Sequence, residues 1–150
     1  MRKNSLTAST DTYSTRAAAR ISGLSIDMVN YLHRHGIVRT TPEDRTGRGV
    51  ARGYRYADLL LLRLLSRLLD QGISVLRLRK CLVAFQKRGE DLTLLTSKRF
   101  VATDGQEVYF GSRDVLEKLG TGQMAFAFVL ELGALGSEVR ARISIESRAA

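Results

Sequence analysis

Between Asp58 and Gln71, eight of fourteen residues are leucine, at positions 59–62, 64, 65, 68 and 69. An amphipathic surface helix buries one stripe. Eight leucines in about four turns overfill such a stripe, so this helix must be packed on two sides. Its polar positions, Arg63, Ser66, Arg67 and Asp70, stand at i, i+3, i+4 and i+7 and predict a single solvent edge. Gly72 stops the helix, and Ser74 can cap another from Val75 to Lys87. Val75, Leu76, Leu78, Leu82 and Phe85 are expected on its inner face, with Cys81 beside them as a small core residue. Arg77, Arg79, Lys80, Lys87 and Arg88 make the outside basic.

Upstream, the chain reads as two short helices. Ser14 caps a segment from Thr15 to Ile21 rich in alanine, and Gly23 ends it. Leu24 can plug the turn, and Ser25 is a second N-cap ahead of Ile26 to His35, where Val29 and Leu32 share an inner face and Gly36 marks the C-terminus. Two such helices joined by a short turn containing glycine are the sequence image of a helix-turn-helix, and a generic helical hairpin reads much the same. From Arg39 to Arg55 the chain is polar and punctuated by Gly47, Gly49 and Gly53, with Arg39, Arg45, Arg48, Arg52 and Arg55 against only Glu43 and Asp44. The only proline, Pro42, sits here. Val38 and Tyr54 to Tyr56 are expected to flank this loop as strands, making it a wing able to lay arginines on phosphates or in a minor groove. Tyr54 and Tyr56 alternate, so one is expected under the wing and the other outward.

Charge sharpens this division. Residues 1–90 carry 17 basic and 7 acidic side chains, a balance of +10, while the remaining sixty balance at −1 within a total of +9. A localised polyanion-binding surface is the expectation. Cys81 is the only cysteine, which leaves no intramolecular disulfide and fits a reducing compartment. The longest uncharged apolar stretch, Leu119 to Leu130, is 12 residues and includes four polar or glycine positions, too short to span a bilayer. Met1 to Thr12 is polar and Ser/Thr-rich, without a basic-then-apolar leader, and reads as a disordered arm. A cytoplasmic, nucleoid-associated location is expected.

After Gly89 the composition changes. Leu92 to Leu95 reads as a short strand, and Phe100 to Thr103 and Gln106 to Phe110 as a hairpin around Asp104-Gly105. Ser112 can cap a helix from Arg113 to Leu119. Gln123 to Leu130 is a buried strand or a buried helix, which periodicity does not decide, and Ser137 to Glu146 reads as helical. The fold class expected is mainly α. A winged helix-turn-helix domain at residues 13–89 follows the arm at 1–12, and a small α+β domain with a β-hairpin at 90–150 serves dimerisation or partner binding.

Five segments in order resemble the MerR superfamily of bacterial transcription regulators. They are Tyr13-Ser-Thr-Arg-Ala-Ala-Ala-Arg-Ile-Ser-Gly-Leu-Ser, Val29-Asn-Tyr-Leu-His-Arg-His-Gly-Ile-Val, Gly53-Tyr-Arg-Tyr, Asp58-Leu and Leu69-Asp-Gln-Gly-Ile-Ser. The resemblance covers residues 13 to about 88. It implies a second helix in the major groove, a wing on the backbone, and a dimer that bends a two-fold site on double-stranded DNA. It also implies that Thr15, Arg16, Tyr31, Arg34, Arg52, Tyr54 and Arg55 face DNA. Two departures stand out. Asp27 and Asn30 replace residues commonly basic on the reading helix, and Lys87-Arg-Gly-Glu-Asp breaks the chain where a long dimerisation helix would start. Thr103-Asp-Gly-Gln-Glu-Val-Tyr and Gly122-Gln-Met-Ala-Phe are similar to a small domain on MerR-like proteins related to antitoxins, which implies a toxin or other regulator as a partner for residues 90–150.

The side-chain chemistry is compatible with these roles. A guanidinium forks onto two phosphate oxygens, a tyrosine hydroxyl donates once, and Arg48 joins Arg52 and Arg55 in the basic loop. Asn30 can pair bidentately with adenine, and Met28 or Ile26 can meet a thymine methyl, although core packing is the better expectation for Ile26. His33 and His35 are two apart, wrong for a shared helical metal face, and neither a metal nor a cofactor is expected. Ser22, Ser25 and the histidines form no nucleophile–base set, so no enzyme is expected. The alternatives are an excisionase-like or architectural DNA-bending factor, and an antitoxin-like module that binds its partner through the C-terminal domain.

Overall fold

The computed structural model describes residues 12–38, 53–87, 100–103, 108–111 and 128–149. Helix α1, Thr15–Ser22, starts where the Ser14 hydroxyl accepts from Ala17 N–H at 3.1 Å, satisfying one of the donors a helix start leaves open. It stops at Gly23, whose φ of 86° lies in the left-handed region. Helix α2, Ile26–Arg34, repeats the device: the Ser25 hydroxyl accepts from Met28 N–H at 3.0 Å. After α2 the chain turns inward, and Ile37 and Val38 are buried.

Helix α3, Tyr56–Asp70, begins two residues earlier than the leucine pattern predicts. Its start is fixed by Asp58, whose carboxylate accepts from Arg55 N–H at 2.9 Å. Tyr54, expected to flank the basic loop with Val38, pairs instead with Tyr13 in an antiparallel bridge, with N–H to carbonyl distances of 2.8 and 2.9 Å. The residue before α1 is thereby tied to the residues before α3, and Tyr56 belongs to the helix. The loop at 39–52, with its proposed wing and Pro42, lies outside the described residues.

Helix α4, Val75–Lys87, is capped by Ser74, whose hydroxyl accepts from Arg77 N–H at 3.1 Å. Leu78 and Leu82 are buried as expected, whereas Leu76 is 51% exposed and does not belong to the inner face. The side chain of Phe85 lies outside the described residues. Cys81 is half-buried and free of disulfide. Two side-chain contacts draw α4 against α2 and the turn that follows it: Arg79 Nη1 donates to the Tyr31 hydroxyl at 3.2 Å, and Gln86 Nε2 donates to Gly36 O at 2.9 Å.

Three short strands follow, β1 Phe100–Thr103, β2 Val108–Gly111 and β3 Phe128–Glu131, in the order β2-β1-β3 with both pairings antiparallel. Thr103 faces Val108 in one ladder and Phe128 in the other. The Asp104-Gly105 turn, the Leu92 to Leu95 strand and the Ser112-capped helix lie outside the described residues. Of the undecided segment Gln123 to Leu130, the described part enters strand β3.

The last helix, α5 Leu132–Ala149, is longer than Ser137 to Glu146 and begins directly after β3, where Glu131 Oε1 accepts from Ala134 N–H at 2.8 Å. It packs on α1 and α3, placing Leu132, Leu135 and Val139 in one core with Ile21, Leu59 and Leu62. Fully burying aliphatic side chains of this kind contributes about 1.5–3 kcal/mol each. This helix supplies one wall of the leucine-rich helix, and α1 supplies another. It also breaks up the predicted solvent edge: Asp70 is exposed as expected, but Ser66 is 4% exposed, and Arg63 and Arg67 turn to Glu138 of α5. Polar residues at helical spacing can mark an ion-paired seam as readily as a solvated face.

Candidate nucleic-acid interface

Val29 and Leu32 point into the core and orient α2, leaving Asp27, Arg34 and His35 exposed on the other side. Asn30 and Met28 are half-buried, Met28 packing against the core. Ile26, expected in the core, is 43% exposed at the head of the helix. Tyr31 is half-buried. Its hydroxyl accepts from Arg79, and its ring centroid stands 4.3 Å from that of His35. On α1, Thr15 is half-buried and Arg16 exposed.

An open groove of about 430 Å³ lies along α1 and the turn, bounded by Arg16 and Arg20 of α1 and by Gly23, Ser25 and Ile26. Nothing in the sequence marks Arg20 as strongly as the arginines of the basic loop are marked. Its signal was present in the i, i+4 spacing from Arg16, which puts both guanidinium groups on one helix face. Arg20 is engaged: its Nε lies 2.9 Å from both oxygens of Glu146 on α5. This hydrogen bond holds the Glu146 carboxyl below its ordinary range and raises Arg20.

At the start of α3, Arg55 is exposed. Tyr54 beside it is 0% exposed, so its hydroxyl presents no surface donor. The proposed residues Arg48 and Arg52 lie outside the described residues. The structure thus brings Arg16, Ile26 and the turn into one groove, leaves Arg34 and Arg55 on the surface, and holds Tyr54 in the core. Among the described residues, no helix is long and apolar enough to cross a membrane, and no group of three or more His, Cys, Asp or Glu comes together.

Two capped helices around a glycine turn, followed by a leucine-rich helix that closes their core, define a helix-turn-helix domain. Residues 13–84 match the MerR HTH family regulatory protein family, so this segment is a MerR-family helix-turn-helix domain. The chain is 30% identical over 121 residues to an uncharacterized HTH-type transcriptional regulator of Mycobacterium bovis, covering 79% of this chain and 52% of that protein. Uncharacterized HTH-type transcriptional regulators from two Mycobacterium tuberculosis strains match over the same span with the same identity and coverage. The aligned stretch is longer than the helix-turn-helix segment, so the likeness continues past it. The chain spans about half the length of these curated relatives.

Proposed function

We propose that this chain binds double-stranded DNA sequence-specifically, as a dimer on a two-fold site, and regulates transcription. The observation that carries the reading is the exposed face of the capped helix-turn-helix: Arg16 by the groove and Arg34 on α2 flank it, Asn30 lies on the same helix, and the motif falls within the stretch of sequence that carries the +10 balance. Phosphate contacts from Arg16, Arg34 and Arg55, joined by Arg48 and Arg52 from the basic loop, would supply affinity without sequence information. Asn30 and Met28 are the proposed readers of base edges. Thr15 offers a backbone and hydroxyl donor at the helix start, and Tyr31 aligns α2 through Arg79. The near-neutral stretch from residue 90 onward, apart from the buried face of α5, is assigned to self-association or to a protein partner.

Selection of bound duplexes from a random pool tests this reading. It predicts enrichment of a two-fold sequence, and equal affinity for every duplex would refute it.

A further inference from the structure

The C-terminal end of α1 sets where the turn leaves and therefore how α2 is presented, and its carbonyls are held from outside the motif. Arg63 Nη1 donates to Ser22 O at 2.9 Å. Arg142 Nη1 stands 3.4 Å from Arg20 O and 3.5 Å from Ile21 O. The last carbonyls of a helix lack intrahelical donors and carry partial negative charge, so cations here satisfy them. Arg63 also lies against the turn itself, since a Cβ built on Gly23 would stand 2.8 Å from Nη1.

What aims Arg63 is Glu138. The Arg63 side chain is only 12% exposed, and its Nε donates to Glu138 Oε1, 75 residues further along the chain. The other Glu138 oxygen accepts from Arg67 at 3.2 Å, which fixes the carboxylate from a second direction. A guanidinium with so little solvent needs its charge met inside the protein, and the carboxylate meets it while leaving Nη1 free to point at Ser22. We propose that Glu138 is a positioning residue for α2. Acting through Arg63, it fixes the Ser22–Ser25 turn and so the angle at which α2 meets DNA. The inference rests on the DNA-binding reading above.

The sign of the effect separates this role from simple electrostatics. Glu138 is an anion on a protein for a polyanion, so if only its charge mattered, its removal would tighten DNA binding. If it positions α2, removal weakens binding, and does so most for the preferred sequence. Phosphate contacts from flexible arginines follow a small rotation, whereas hydrogen bonds to base edges do not.

The experiment uses the full chain carrying Glu138→Gln, below its melting temperature. Fluorescence anisotropy gives affinity for the selected duplex and for a scrambled one, and hydrogen exchange reports the Gly23 and Leu24 amides. These amides donate to Ala19 O at 2.9 Å and Ser22 Oγ at 3.2 Å. The ratio of the two affinities is expected to fall about tenfold, with the amides exchanging faster by a similar factor. Arg63→Lys, which keeps the charge but not the fork, is expected to repeat the loss. Leu61→Ala, a core truncation that leaves the partners of Arg63 in place, lowers the melting temperature and keeps the ratio. Unchanged exchange at Gly23 and Leu24 overturns the inference, as does an unchanged ratio in a wild-type protein that discriminates. If the wild type discriminates no sequence, the DNA-binding reading falls and exchange alone decides the positioning role.

Discussion

Gly23 shows how much of the motif rests on single residues. Its φ of 86° costs an L-residue about 1–2 kcal/mol, and the Arg63 guanidinium occupies the space a side chain would take. Gly23→Ala is therefore expected to lower stability by at least that amount, about 1–2 kcal/mol in a urea titration. The surface arginines behave differently. Arg34→Ala and Arg55→Ala should weaken binding to all duplexes about equally, each reducing the slope of log affinity against log salt by about 0.9. Tyr54→Phe, with its hydroxyl buried, should leave affinity for every duplex unchanged; weakened binding without a change in slope would place Tyr54 on DNA. Asn30→Ala should relax preference at one base pair, by about 1–3 kcal/mol. At this scale the sequence was legible wherever chemistry is local: the Ser14, Ser25 and Ser74 caps and the Gly23 stop each depend on neighbours three or four residues away. For Tyr54 only the alternation with Tyr56 was legible, not which of the two turns inward, nor the backbone bridge that ties it to Tyr13, 41 positions earlier.

Among elements, α5 changes the picture most. The leucine excess of α3 announced a second covering surface but did not name it, since nothing in the spacing of α3 points to a helix whose Glu138 lies 75 residues beyond Arg63. The same ignorance turned Arg63, Ser66 and Arg67 into an expected solvent edge. Arg63 and Arg67 face Glu138 and Ser66 is buried; in the sequence the partner helix shows only from Ser137 onward, with nothing to name what it packs on. If α5 is part of the helix-turn-helix core, Leu135→Ala should destabilise the whole domain by about 2–5 kcal/mol, measured as a shift of one cooperative unfolding transition that includes α1. Loss confined to the C-terminal residues would contradict this. The outer end of α5 is tied by Arg20 and Glu146. Because the Glu146 carboxyl is held below its ordinary range, its contribution is fully present above that range and is lost as pH falls through the lowered value. Glu146→Gln should therefore flatten the acid limb of the melting temperature against pH, and an unchanged limb would show that the pair contributes nothing. Arg20 is exposed and Glu146 keeps part of its surface in solvent, so the effect is small and shrinks with salt.

For the whole molecule, the charge balance remains the coarsest guide and a sound one. The basic block of +10 coincides with the segment that matches the MerR HTH family, while α5 brings Glu138 and Glu146 back to neutralise arginines on the side of the domain where it packs. Arginine count alone therefore overstates the polyanion-binding surface: Arg20, Arg63 and Arg67 are engaged within the protein, and Arg16, Arg34 and Arg55 remain exposed. The central claim is sequence-specific binding to a two-fold duplex site. Selecting duplexes from a random pool with the full chain, and measuring the enriched and scrambled sequences at physiological salt, tests it most directly. A symmetric consensus bound at least about a thousandfold more tightly than scrambled DNA is the predicted result, and equal affinity for the two would contradict it.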